Sequence, residues 1–119
     1  MQVIHRSTIY DAPLQDTSRR IAFMDGLLRL QSGTWLSGFT VGPEKNHPAG
    51  TLQLSRSRDG GRSWSLVPFE FESQFGGLPG SLSASELVET EPGRLLAFTT
   101  WFDRSDPDRP LFNPDTEGI

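Results

Sequence analysis

A ten-residue stretch that recurs sixty residues later constrains this chain more than any other feature. Leu27-Leu28-Arg29-Leu30-Gln31-Ser32-Gly33-Thr34-Trp35-Leu36 aligns without gaps on Leu87-Val88-Glu89-Thr90-Glu91-Pro92-Gly93-Arg94-Leu95-Leu96. Both copies read as apolar strand, glycine turn, apolar strand. A chain that writes the same hairpin twice is assembled from strand pairs. Composition agrees, because 12 glycines and 9 prolines in 119 residues are too many breakers for a helical bundle. Leu, Ile, Val and Phe make up about a quarter of the chain, above the roughly 20% below which chains stay disordered. One folded domain is expected.

Turn residues divide the sequence into short extended segments, expected near 2–10, 21–30, 34–41, 51–57, 63–71, 84–90 and 94–102. The 2–10 segment is rich in β-branched residues, and 21–30 is apolar at nearly every position. A short helix fits 21–30 almost as well on periodicity; the flanking turn signals favour a strand buried on both faces. Residues 42–50, with Gly42-Pro43 and Asn46-His47-Pro48, read as a loop. Gly76-Gly77-Leu78-Pro79-Gly80 lacks the Gly-Lys-Ser/Thr ending of a phosphate loop and reads as a crossing between strand groups. Trp35 and Trp101 sit in apolar strands and are expected in the core. Four-stranded units repeated at intervals of tens of residues are the mark of propeller blades.

Charge and residue usage exclude several functions. The formal net charge is −4 and no cluster of Lys or Arg exists, so no nucleic-acid partner is expected. No apolar run approaches the roughly 18 residues needed to cross a bilayer, so no membrane partner is expected either. The absence of cysteine removes disulfides and thiolate metal sites, and neither a metal nor a cofactor is expected. Met1-Gln2-Val3-Ile4-His5-Arg6 has no apolar signal core, which favours the cytoplasm.

The octapeptide Ser57-Arg58-Asp59-Gly60-Gly61-Arg62-Ser63-Trp64 is the most specific motif. Gly60 and Gly61 suit a turn that needs positive φ. Ser57 and Asp59 can accept the turn N–H groups that a strand ladder leaves unpaired. Trp64 can lay its ring back over the hairpin. Asp59 therefore reads as a turn staple rather than a catalytic or calcium-binding carboxylate. The spacing Ser-x-Asp-x-Gly-x-Ser/Thr-Trp resembles the Asp-box, or BNR repeat, at Ser57, Asp59, Gly61, Ser63 and Trp64. Together with the preceding Gly-Thr-Leu-x-Leu-Ser-Arg-Ser, it is similar to the first blade of the sialidase (neuraminidase) superfamily. The resemblance runs from about Ile21 to Trp101.

That resemblance implies an all-β fold: a sialidase-like six-bladed β-propeller, of which about one and a half blades are present. Blade 1 would span about 21–71, blade 2 would begin in 84–119, and 1–10 would be a possible closing strand. It implies a glycosidase of the exo-α-sialidase type, or a non-catalytic propeller binding glycan or protein, with a sialoside or other carbohydrate as partner. The family's Arg-Ile-Pro arginine aligns on Phe23, with Met24 and Asp25 in the next two places. Arg20 could replace that arginine only through a bulged strand. The acid/base aspartate aligns on Asn46, and an amide cannot donate and recover a proton. The nucleophilic Tyr/Glu pair and further arginines belong to later blades. Candidate residues on the same loop side are Arg20, Asp25, Glu44, Asn46, His47, Asp103 and Arg104. His47 equally suits a solvated loop, Asp25 a bulge, and Asp103 and Arg104 a polar loop with weak local ion pairs.

Overall fold

The computed structural model describes residues 2–45, 47–110 and 115, without the side chains of 84 and 85. It is all-β, with one short 3₁₀ turn, Ala12–Leu14. Strands β1 (Ile21–Arg29), β2 (Trp35–Gly42), β3 (Thr51–Ser57) and β4 (Ser65–Leu66) form an antiparallel sheet in sequence order. Strands β5 (Gly80–Glu91) and β6 (Arg94–Asp103) form a second, two-stranded sheet, and β5 packs on β1, β2 and β3. The repeated decapeptides form the corresponding β1–β2 and β5–β6 turns, with Gly33 and Gly93 at φ 85° and 80°.

Side-chain alternation assigns the two faces of the first sheet. Leu36, Leu52 and Thr40 look toward β5, and Leu36 and Leu52 are buried. Ser37, Phe39, Val41 and Ser55 look the other way and are equally buried, because the N-terminal segment lies over them. Tyr10 stacks on Phe39 with ring centroids 5.1 Å apart, and Ser55 Oγ donates to the Ile9 carbonyl at 3.2 Å. Residues 2–10 are thus a strap across the sheet and not the expected strand. β-branched residues make a strand only beside a free edge, and this segment crosses a face instead.

Three other expectations need correction. Strand β1 is not buried on both faces: Ala22, Met24 and Leu27 are exposed because the strap stops short of them. The expected 63–71 strand shrinks to Ser65–Leu66 with one further bond, Val67 N–H to the Leu54 carbonyl at 2.8 Å. Pro68 has no N–H to continue the ladder. Strand β5 begins at Gly80, earlier than expected, since Ser81, Leu82 and Ser83 pair with Phe102, Trp101 and Thr100. Gly80 is required there by close approach: a Cβ would fall 1.9 Å from Trp101 Nε1. That indole lies against the backbone, donates to the Ser73 carbonyl at 2.9 Å, and is only half-buried, as is Trp35.

Candidate functional site

The antiparallel order sends the two kinds of connection to opposite ends of the sheets. The β1–β2, β3–β4 and β5–β6 turns lie at one end, where Gln31 N–H donates to Glu89 Oε2 at 2.6 Å and ties the first turn to the third. The 43–50 loop, the 67–79 linker and the segment that begins at Arg104, whose N–H donates to the Pro79 carbonyl, gather at the other.

The turn end holds the Ser57–Trp64 motif, and its geometry follows from the sequence. Ser57 Oγ, on a buried residue, donates to Asp59 Oδ1 and accepts from Gly61 N–H, both at 2.8 Å. Asp59 Oδ1 also accepts from the backbone N–H groups of Arg62 and Ser63 at 2.9 Å, while Oδ2 accepts from Ser63 Oγ at 2.6 Å. Gly60 and Gly61 have φ of 75° and 86°. Trp64 Nε1 donates to the Gly61 carbonyl at 3.2 Å and to Ser7 Oγ at 3.1 Å, pinning the strap to the turn. Hydrogen bonds from Ser63, Ser57 and Arg62 hold the Asp59 carboxyl far below the usual carboxylate range. Its oxygens are consumed by the turn.

The loop end gathers the other candidates. In β1 the pairing passes from Met24–Phe39 to Gly26–Gly38, so Asp25 is an extra residue in a β-bulge. The bulge turns its carboxylate toward β5, where Oδ2 accepts from Thr40 Oγ1 at 2.9 Å. Asp25, Thr40, Glu44, Lys45, His47 and Ser83 line a cleft of about 170 Å³ between the sheets. A smaller hollow continues from it past Thr40, His47 and Ser83 to Ser81 and Arg104. Arg104 Nε donates to Ser81 Oγ at 2.8 Å, its guanidinium lies 5.7 Å from the Phe102 ring centre, and no carboxylate pairs with it among the described residues. Partial burial raises the Asp25 carboxyl above its ordinary value, and the Thr40 hydroxyl offsets this only in part. His47 Nδ1 accepts from Ala49 N–H at 3.0 Å, which leaves Nε2 to carry the proton of the neutral ring.

Other candidates fall outside this cleft. Arg20 is exposed just before β1, and the bulge comes too late in the strand to turn it inward. Asp103 caps the end of β6: Oδ1 accepts from Ser105 N–H and Oγ, and Oδ2 pairs with Arg109 at 3.0 Å. Those bonds, Ser105 first, lower its carboxyl, so it is a poor proton donor. Asn46 lies outside the described residues. Phe23, by contrast, lines the cleft, its ring covered by Lys45 Nζ at 5.2 Å from the ring centre. Tyr10, the one tyrosine of the chain, donates its hydroxyl to the Arg19 carbonyl at 2.8 Å.

Sequence reading missed Thr40, Lys45 and Ser83, and also a larger cleft of about 360 Å³ on the far side of the 43–50 loop. Arg19, Gln53, Glu70 and Phe71 are among the residues that line it. The alternation that places Thr40 opposite Phe23 was the available signal; Ser83 was hidden by the late start assigned to its strand. Among the described residues no group of three or more His, Asp and Glu could hold a metal ion, and no helix is long and apolar enough to cross a membrane. No family model, no curated protein and no solved structure matches this chain.

Proposed function

We propose that this chain belongs to a sialidase-type β-propeller protein acting on carbohydrate, with the cleft between the two sheets as its sugar-binding site. The observation that supports this best is the division of labour between the two ends. The stapled Asp-box turn occupies one end, and Asp25, His47 and Arg104 converge at the other.

In this reading Asp25 takes the proton-donor role that Asn46 cannot fill. Its carboxyl is partly withdrawn from water, so it holds its proton to higher pH than an exposed aspartate, as a glycosidic general acid must. Arg104, fixed through Nε by Ser81, offers its remaining N–H groups to an anionic sugar substituent. Thr40 orients Asp25. The attacking group is supplied from outside the described residues, since Tyr10, at the end of the strap, is bound through its hydroxyl to the Arg19 carbonyl.

The test has a binding arm and a turnover arm. N-acetylneuraminic acid and galactose are titrated onto the chain while backbone amide shifts are followed. Binding of the acidic sugar at 40–47 and 81–104, lost in Arg104→Ala and retained in Asp25→Asn, is expected. No shift with either sugar refutes the site. Turnover of a fluorogenic sialoside is then compared for a complete propeller that carries this chain together with its later blades, as the parent and as the Asp25→Asn and Asn46→Asp variants. Loss of a general acid removes about 10²–10⁴-fold in rate, so Asp25→Asn is expected to be nearly inactive, and parent-like activity in that variant refutes its role. A second reading, a propeller that binds glycan without cleaving it, is favoured by Phe23 and its Lys45 cover at the aligned arginine position. It predicts binding with no turnover in any variant.

A further inference from the structure

The larger cleft, of about 360 Å³, owes its existence to a break in the first sheet. Pairing of β3 with β4 ends where Val67 N–H donates to the Leu54 carbonyl, because Pro68 has no N–H to extend the ladder. The chain then leaves as the 67–79 linker, and residues 51–53 keep a backbone edge with no strand beside it among the described residues. The Leu52 carbonyl, two residues from that of Leu54, lies on the same edge. Gln53 Nε2 donates to it at 3.1 Å, which leaves the amide oxygen and a second N–H for another partner.

The walls come from both sheets, all at the loop end. Gly50 ends the 43–50 loop, the first residues of β3 and β5 follow, and Arg19 leads into β1. Glu70, Phe71 and Ser73 of the linker make the remaining wall, which Trp101 Nε1 of β6 holds through the Ser73 carbonyl at 2.9 Å. Every wall is a strand start or a loop-end connection of this chain, so a sheet packed on either outer face leaves the cleft open. Its lining suits a neutral sugar ring. Half-buried Arg19 donates, exposed Glu70 accepts and Gln53 does both, which matches hydroxyl groups that are donors and acceptors at once. Neither Arg19 nor Glu70 lies within ion-pair distance of an opposite charge among the described residues. Phe71, held edge to face with Phe69 at 5.0 Å between ring centres, supplies an apolar surface for the C–H side of a pyranose.

Gly50 lines this cleft and also the cleft of about 170 Å³ that holds Asp25, so the two meet at one glycine. The smaller volume falls below the roughly 300–1,000 Å³ of most small-molecule sites, and the larger falls within it. Resting on the carbohydrate reading above, we propose that the larger cleft is a second subsite, which takes the neutral hexose units next to an anionic terminal sugar in the first. The substrate class is then a sialylated oligosaccharide rather than a sialic acid on a small aglycone.

N-acetylneuraminic acid, lactose and sialyllactose are titrated onto the chain while backbone amide shifts are followed and Kd is read from them. Lactose is expected to move 51–53 and 70–73. Sialyllactose is expected to move those residues together with 40–47 and 81–104, with a Kd about tenfold or more below that of either part. Phe71→Ala is expected to weaken sialyllactose about tenfold and to leave N-acetylneuraminic acid unchanged. Gln53→Ala, which keeps the Phe69–Phe71 pair, is expected to act in the same direction and decides the matter should Phe71→Ala lose its fold. Sialyllactose that binds no tighter than N-acetylneuraminic acid, with 51–53 and 70–73 unmoved, overturns the subsite and leaves the first cleft standing. No response to N-acetylneuraminic acid, with lactose still moving 51–53 and 70–73, refutes the reading of the first cleft and not the subsite. Silence with all three sugars refutes both.

Discussion

Replacing Ser57 with alanine isolates the turn staple from everything at the loop end. Ser57 is 1% exposed, and its hydroxyl joins Asp59 Oδ1 to Gly61 N–H, each at 2.8 Å. The alanine removes these bonds and a longer one from Asp59 N–H at 3.4 Å, and leaves the Gly61 N–H facing a methyl group. Net hydrogen bonds of this kind contribute about 0.5–1.5 kcal/mol, and a donor left unmet adds to the loss, so a cost of about 1–3 kcal/mol is expected. For a chain of this size that is a fall in Tm of about 4–12 °C. Ser65→Ala is the control. Its exposed hydroxyl has only a 3.5 Å contact with the Arg56 carbonyl, so a change within about 0.5 kcal/mol is expected. Asp59→Asn adds a pH signature. Its folded carboxyl titrates far below the usual range, so its contribution is present above the ordinary carboxylate pKa and is lost as pH falls toward the folded value. The deficit of Asp59→Asn measured at pH 7 is therefore expected to shrink by pH 2. Thermal melts by circular dichroism decide the matter. A Ser57→Ala melt that overlays Ser65→Ala refutes the staple, and loss of sugar binding in a stably folded Ser57→Ala refutes its separation from the site.

Asp25→Asn is expected to raise Tm at pH 7 and leave it unchanged at pH 3. The folded pKa is raised, so the stability linked to its proton is complete below the unfolded value and is lost as pH climbs through the folded one; a lower Tm at pH 7 contradicts this. Gly80→Ala places a Cβ 2.8 Å from the Ser73 carbonyl as well as against the Trp101 ring. Since backbone cannot step aside, a loss above about 3 kcal/mol is expected, read from the melt and from Trp emission shifting to the red. Phe39→Ala, at a site 2% exposed under Tyr10, is expected to cost about 3–5 kcal/mol in denaturant titration. A cost below about 1 kcal/mol would mean that the strap does not seal that face.

What could be read from the sequence was local and periodic. The Ser57–Trp64 turn needs only eight consecutive residues, and its bonds fell where serine, aspartate and glycine chemistry places them. The glycine turns of the repeat, and strands β1, β2, β3 and β6, followed from apolar runs bounded by breakers. What failed depended on partners distant in sequence. Val3 and Ile4 signal a strand, but the 2–10 segment found a face to cross and no edge to join. Ser81 and Ser83 look like linker until Phe102 and Thr100 are set opposite them. Of the candidate residues named from the sequence, Asp25, Glu44 and His47 line one cleft and Arg104 the hollow that continues from it. Asp103 takes the polar-loop alternative, its oxygens occupied by Ser105 and Arg109 two and six residues on.

The bulge at Asp25 has a consequence at the level of the gene. Pairing is regular up to Met24–Phe39 and resumes at Gly26–Gly38, so Asp25 occupies no rung of its own. Removing it leaves Phe23 and Met24 facing as they do, and Gly26 next in line opposite Gly38. A deletion of one codon would therefore erase the carboxylate and keep the sheet, and an insertion of one codon suffices to create it. Acquiring or discarding an acidic group in this cleft is a single mutational step, separate from the many residues that hold the strands together.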